Sequence, residues 1–200
     1  MNNITFSNLI IGVDEVGRGP LAGPLAVGAF VASDRMLKTN FSKVKESKQL
    51  SREQREEWFA KIKKLSLEKK VFYAVTFVSA SVIDRIGLSK ALRVAVASNL
   101  KKLDATVNTK IILDGSLYAP RKFKNQKTII KGDEKEPLIA LASVVAKVLR
   151  DKKMIRLSKK FPQYKFDIHK GYGTSLHYKM IKRHGISPIH RRSFLKNLNF

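Results

Sequence analysis

Residues 9–32 read LIIGVDEVGRGPLAGPLAVGAFVA, and the fold of the chain turns on this stretch. Leu9–Val13 is a short apolar run of the kind that forms a buried strand. The acidic pair Asp14-Glu15 and the glycines behind it are expected to stop that strand. Gly-Pro steps at 19–20 and 23–24 punctuate the following loop, and Leu25–Ala32 is a second apolar strand. Two carboxylates thus stand where a strand ends and a glycine-rich loop begins.

Working outward, Ser51 with Gln54 three positions on is a capping-box pattern, opening a helix whose Trp58, Ile62 and Leu65 share a face. Val71–Val78 is rich in β-branched and aromatic residues and predicts a strand. Leu88, Leu92, Ala95, Val96 and Leu103 recur at helical spacing. Lys110–Leu113 is a short strand ending at Asp114-Gly115, and Lys127–Ile130 is another. Leu138 to Leu149 marks one more helix within 138–160, and a last helix follows Thr174. No repeat or linker divides the 200 residues. The pattern predicts one α/β domain: a core over about 1–160 with a mixed central sheet flanked by helices, and a basic helical segment over about 161–200.

Charge narrows the function. Forty Lys+Arg against 16 Asp+Glu give a formal net charge of +24, which points to a polyanionic partner. The excess is uneven: residues 1–50 carry six basic and four acidic groups, residues 151–200 thirteen and two. Crowded like charges oppose folding, so the C-terminal patch is read as a phosphate-facing surface. The absence of cysteine excludes a disulfide scaffold and thiolate zinc sites. The apolar runs are too short for a bilayer span, and residues 1–10 lack a secretory pattern, so a cytoplasmic protein with no membrane association is expected.

Among so few acids, those at strand ends beside glycine stand out: Asp14, Glu15 and Asp114. Asp151 lies on the 138–160 helix, where Ser143, Lys147 and Asp151 follow one another at i, i+4 and i+8, on a face expected to lie opposite the apolar stripe. Carboxylates brought together repel unless a hard cation sits between them, and Mg²⁺ suits oxygen ligands. Spacing alone does not bring these four acids to one place. The histidines at 169, 177, 184 and 190 have no HExxH spacing and are read as structural or substrate-lining.

The segment GVDEVGRGPLAGP (12–24) resembles the signature of type 2 ribonucleases H, specifically ribonuclease HII. The likeness continues through ESKQLS (46–51), LDG (113–115), TIIKGD (128–133), ASVVAKVLRD (142–151), HKGYGT (169–174) and PIHRRSF (188–194), in family order. The HIII branch is similar in fold and chemistry, but GRGPLAGP favours HII, and the extra N-terminal domain usual in HIII is not expected here.

The resemblance implies a ribonuclease-H-like fold and a metal site of Asp14, Glu15, Asp114 and Asp151. It implies two-metal phosphodiester hydrolysis with Mg²⁺ or Mn²⁺ ions about 3.5–4 Å apart. One ion would lower the pKa of a water aligned for attack, and the other would stabilise the leaving 3′ oxygen. Gly17-Arg18-Gly19 matches the loop that senses the ribose 2′-hydroxyl through backbone groups, and Tyr172 matches the tyrosine that packs on the neighbouring sugar. Ser47-Lys48 matches a phosphate-contacting motif, although Glu46 replaces its usual Asp and Gln49 its second Lys. Lys131, Arg191 and Arg192 also match; binding phosphate and bracing the site through the carboxylates both remain open for them.

The implied substrates are RNA–DNA hybrid and duplex DNA containing ribonucleotides, cut by a monomer. The alternatives are an HIII-like nuclease that ignores single ribonucleotides and a non-catalytic binding module. The tail KNLNF (196–200) is too short and unspecific to mark a sliding-clamp motif.

Overall fold

The computed structural model describes residues 9–42, 44 and 50–196. Strands β1 (Ile10–Val16), β2 (Leu25–Ala32), β3 (Val71–Val78), β4 (Lys110–Asp114) and β5 (Gln126–Ile129) form one sheet in the order β3-β2-β1-β4-β5. The β1–β2 and β2–β3 pairs are antiparallel, and the β1–β4 and β4–β5 pairs are parallel. The sheet is therefore mixed, as the sequence predicts.

One boundary differs in a way that matters. β1 does not stop at the acidic pair but runs on to Val16, because Asp14, Glu15 and Val16 pair with Gly28, Val27 and Ala26 of β2. Only the parallel pairing ends early, with Val13 opposite Leu113. A backbone already paired on its antiparallel side keeps charged residues extended, whatever the local apolar pattern.

Side chains alternate across this sheet. On one face Ile11, Val13, Val27, Ala29, Ile111 and Leu113 pack against α4 (Leu88–Lys102), which turns Ala91, Leu92, Ala95, Val96 and Leu100 inward. The other face carries Phe30 and Ile112 against α6 (Pro137–Lys160), which is backed by Phe59, Ile62 and Leu65 of α2 (Arg52–Leu67). Both halves of the capping box at Ser51 and Gln54 are formed. Gly12 and Gly28 lie on the α6 side: a Cβ on Gly12 would collide with the backbone of Leu138, and one on Gly28 with the carbonyl of Ala142. These absent side chains let α6 lie close against the sheet.

That closeness corrects the expectation for Ser143. Residues 138–146 are buried all round between sheet and α2, so Ser143 is only 2% exposed; of the three residues on its helix face, Lys147 and Asp151 reach partial exposure. Short helices that the sequence pattern does not announce complete this part: α1 (Asp34–Asn40), α3 (Ala80–Ile86) and α5 (Gly132–Lys135). Beyond α6 follow a 3-10 turn at Pro162–Tyr164, α7 (Phe166–His169), α8 (Ser175–His184) and α9 (Arg192–Leu195), with Thr174 capping α8. Ala22, Met154, Tyr164 and Phe166 form a small core that fixes this helical segment to the loop after β1. No helix among the described residues is long and apolar enough to cross a membrane.

Candidate active site

The register of β1 and β4 explains why acids 100 positions apart in sequence meet. Asp14 and Asp114 each follow the last parallel pair, Val13 and Leu113, so both project to the α6 side from adjacent strands. Glu15 completes the group: one carboxylate oxygen from each of Asp14, Glu15 and Asp114 lies within 4.8 Å of the others. Asp151 is not a member of this trio. Its carboxylate is paired with Lys147 at 3.0 Å, one helical turn back.

The trio is held rather than merely crowded. Asp14, only 4% exposed, accepts from the backbone N–H of Glu15 at 2.7 Å and hydrogen-bonds the Ser143 side chain. Asp114 accepts from the backbone N–H of Gly132 at 2.7 Å. Glu15 accepts from Arg18 Nη1 at 3.1 Å, and the same nitrogen donates to Ser116 Oγ at 3.0 Å. Burial, followed by the charges of Glu15 and Asp114, pushes the Asp14 carboxyl well above its ordinary range despite the Ser143 bond. Burial also raises Glu15, against the pull of Arg18.

Glu15 Oε2 is buried and has no hydrogen-bond partner among the described residues. A buried, unsatisfied carboxylate oxygen beside two more carboxylates costs free energy unless a cation completes it. The donors are all hard oxygens, the set that Mg²⁺ or Mn²⁺ takes and that soft metals do not. The residues present therefore fit a divalent cation.

The trio forms one wall of an open cleft of about 440 Å³, shared with Gly17–Gly19, Arg55, Ser143, Lys147 and Tyr172. The Gly17–Gly19 loop is fixed from behind by two buried arginines. Gly17 has φ +92°, and the Arg150 guanidinium fills the space its Cβ would need. Arg150 donates to the carbonyls of Pro24 (2.9 Å) and Lys170 (3.1 Å). Arg191 donates to those of Gly17 (2.7 Å), Arg18 (2.8 Å) and Gly23 (3.1 Å). Burial pushes Arg191 down to about 10, which leaves it charged at neutral pH. Of the two roles left open, Arg191 thus braces, and it does so through backbone carbonyls rather than carboxylates.

Tyr172 is 40% exposed at the cleft, its ring 5.6 Å from the Arg150 guanidinium. Its backbone is held by histidines. His190 Nδ1 accepts from the Ser187 N–H at 2.8 Å, so its proton sits on Nε2, 3.0 Å from Nε2 of His177. His177 then carries its own proton on Nδ1 and donates to the Tyr172 carbonyl at 2.9 Å. His169 stacks on His177 at 4.2 Å and bonds the Tyr164 carbonyl. Burial pushes both His177 and His190 down to about 4, so the neutral pattern holds at neutral pH.

Lys131 and Arg192 are not among the residues that line the cleft. Lys131 has a left-handed backbone and pairs with Glu134 at 3.2 Å; its neighbour Gly132 supplies the site contact. Arg192 is exposed, and its backbone N–H donates to Asp84 Oδ2 at 2.9 Å. Ser47 and Lys48, with Glu46 and Gln49, lie outside the described residues. Sequence reading passed over Arg150, Arg55, Ser116 and Gly132. For Arg150 a signal existed: a cation inside the apolar run VVAKVLRD.

Known proteins match this chain along nearly its whole length. The family model described as Ribonuclease HII matches residues 11–197. The ribonuclease HII of Caldicellulosiruptor bescii is 41% identical over 189 residues, 94% of this chain and 87% of that protein. Among solved structures, the chain matched in the PCNA:RNase HII complex from Archaeoglobus fulgidus superposes with a TM-score of 0.73 at 26% identity, covering 96% of each chain. Ribonuclease H2 from Pyrococcus horikoshii superposes at 0.67 and 29% identity, covering 92% of this chain and 93% of that one. A mixed sheet ending in clustered carboxylates, matched along nearly its whole length, shows that the chain belongs to the ribonuclease HII family.

Proposed function

We propose that the protein is an endonuclease that hydrolyses the RNA strand of RNA–DNA hybrids and nicks 5′ of single ribonucleotides in duplex DNA, leaving 5′-phosphate and 3′-hydroxyl ends. Family membership supports ribonuclease H activity on hybrids, a hydrolase reaction. The finer reading rests above all on one observation: three carboxylates share one wall of an open cleft, with a buried Glu15 oxygen unpaired among the described residues. A pure binding module with a net charge of +24 would gain by losing such acids beside phosphate.

In this reading Asp14, Glu15 and Asp114 hold Mg²⁺ or Mn²⁺, and Asp151 joins them by leaving Lys147. Bound divalent cations would supply activation of water and charge neutralisation at the leaving oxygen. The chain's own residues do the positioning. Ser143 and the Gly132 N–H aim the two aspartates, and Arg18 aims Glu15. Gly17–Gly19, clamped by Arg191 and seated on Arg150 where a Gly17 Cβ would collide, offers backbone groups to a ribose 2′-hydroxyl. Tyr172 packs on the adjoining sugar, favouring deoxyribose there. Lys147 and Arg55 face the phosphates that enter the cleft. The protein would remove ribonucleotides from chromosomal DNA in the cytoplasm, as a monomer.

The test is cleavage of three duplexes with Mg²⁺ and with Mn²⁺: full hybrid, a short ribonucleotide block, and a single ribonucleotide. Cutting of all three supports the reading. Cutting of hybrid alone transfers the protein to an HIII-like specificity, and binding without cutting under both metals overturns the enzyme.

A further inference from the structure

A second groove opens on the far side of Arg18, and the cleft contacts do not account for it. It encloses about 600 Å³ between the start of α4 and the loop after β4, lined by Arg18, Arg93, Ser116, Tyr118, Arg121 and Thr128. Arg18 belongs to both depressions, and its Nη1 joins Glu15 to Ser116 across their boundary. Ser116 thus stands on the groove side of the boundary and Glu15 on the carboxylate side.

Its chemistry is one-sided. Three arginines line it, and among the described residues no carboxylate does. Arg93 and Arg121 are exposed, and Tyr118 is 60% exposed although its neighbours Leu117 and Ala119 are buried. The wall is also preformed. Gln126 accepts from the Ala119 N–H at 2.8 Å and donates to the Phe123 carbonyl at 2.9 Å, while Thr128 Oγ1 donates to the Leu117 carbonyl at 3.1 Å. A hydrogen-bonded backbone wall, arginines lining the groove and an exposed aromatic ring are the features that hold a sugar–phosphate strand without reading its sequence.

We infer that this groove is a second nucleic-acid subsite, holding the substrate strand as it runs out of the cleft. Arg93 and Arg121 contact its phosphates, and Tyr118 stacks on a base or sugar. The inference rests on the nuclease reading for the identity of the strand. Its consequence is a footprint longer than the scissile step, with affinity that the carboxylate site does not supply.

The experiment compares hybrid binding in EDTA, by fluorescence anisotropy across a salt series, for the wild type and two charge-matched variants. Arg93→Ala/Arg121→Ala removes the groove cations. Lys101→Ala/Lys110→Ala removes two exposed cations near the opposite end of the sheet, where β4 begins. The groove variant is expected to bind about tenfold more weakly at low salt and to lose about 1.5 from the slope of log K against log salt. The control keeps the wild-type slope. With Mg²⁺ the groove variant raises KM and leaves kcat alone, Tyr118→Ala raises KM in the same way, and Tyr118→Phe does not. A groove variant indistinguishable from the control overturns the subsite. Failure of the wild type to cut with Mg²⁺ or Mn²⁺ overturns the nuclease reading instead, and leaves the binding comparison to judge the groove by itself.

Discussion

The Arg191 guanidinium donates to the Gly17 carbonyl at 2.7 Å across 174 positions of sequence. The C-terminal segment thereby reaches into the interior and sets the loop that borders the carboxylates. The Arg191 backbone N–H adds a bond to the Leu21 carbonyl at 2.7 Å, and Ala22 pairs with His190 as an isolated bridge. Asp84 of α3 anchors the next residues, accepting from the N–H groups of Arg192 and Ser193 at 2.9 and 3.0 Å. The basic C-terminal segment is thus both a charged surface and a clamp on the Gly17–Gly19 loop.

Replacing Arg191 should therefore cost stability and recognition together. Arg191→Ala strands two buried carbonyls, those of Gly17 and Gly23, each worth about 1–3 kcal/mol when left unsatisfied, and releases the part-buried carbonyl of Arg18. A loss on the order of 3 kcal/mol or more is expected in urea denaturation. Arg191→Lys keeps a charge but cannot fork to three acceptors. It should recover part of the stability while still losing preference for a ribonucleotide over a deoxyribonucleotide. Unchanged denaturation of the alanine variant would show that the clamp is not needed.

The buried histidines make the fold acid-sensitive. His177 and His190 sit at about 4 in the folded chain, against an ordinary value of 6.5. Between those values the unfolded chain binds more protons, so stability is full above about pH 6.5 and falls as pH drops toward 4. The loss is on the order of a few kcal/mol in all. Thermal midpoints should decline over that window. His190→Gln should be less stable at pH 7.5 but decline less steeply, and an equal slope would exclude the pair as its source.

Close approach of α6 to the sheet depends on Gly28. Gly28→Ala drives a Cβ into the Ala142 carbonyl, a backbone atom that cannot rotate away. Overpacking of this kind costs about 1–3 kcal/mol. Because Ser143 follows Ala142, the substitution should also weaken the Asp14 site. A lowered thermal midpoint with a reduced response to Mn²⁺ is expected, and an unchanged midpoint would show that α6 yields freely.

Removing one charge from the trio should stabilise the protein without metal. Burial and the neighbouring carboxylates disfavour ionised Asp14, and Asp14→Asn relieves that repulsion. In EDTA its thermal midpoint should rise. Added Mg²⁺ or Mn²⁺, which stabilises the wild type by binding the folded state, should then shift the variant far less. Equal metal-induced shifts in both proteins would remove Asp14 from the cation site.

Much of this was legible from local pattern. The apolar runs 25–32 and 71–78 became strands with the expected bounds, and the capping box at Ser51 opened its helix as read. Local pattern misjudged β1, where pairing to β2 carries the strand through Asp14 and Glu15. It also could not supply the parallel register that puts Asp14 beside Asp114, a relation between distant segments. Helices of about two turns or less, such as α1, α5 and α9, hold too few residues for a periodic signal. Neither the cation in the apolar run at Arg150 nor the bracing role open for Arg191 disclosed what these side chains hold. Their partners are backbone carbonyls, which have no residue type for a sequence to show.

The most direct test of the carboxylate site as a nuclease centre is the first nick in duplex DNA carrying one ribonucleotide, mapped at nucleotide resolution in Mg²⁺. The wild type should cut on the 5′ side of the ribonucleotide and leave a 3′-hydroxyl, while Asp14→Asn binds the same duplex and leaves it whole. An uncut duplex with the wild type under both Mg²⁺ and Mn²⁺, or wild-type turnover by Asp14→Asn, would contradict it.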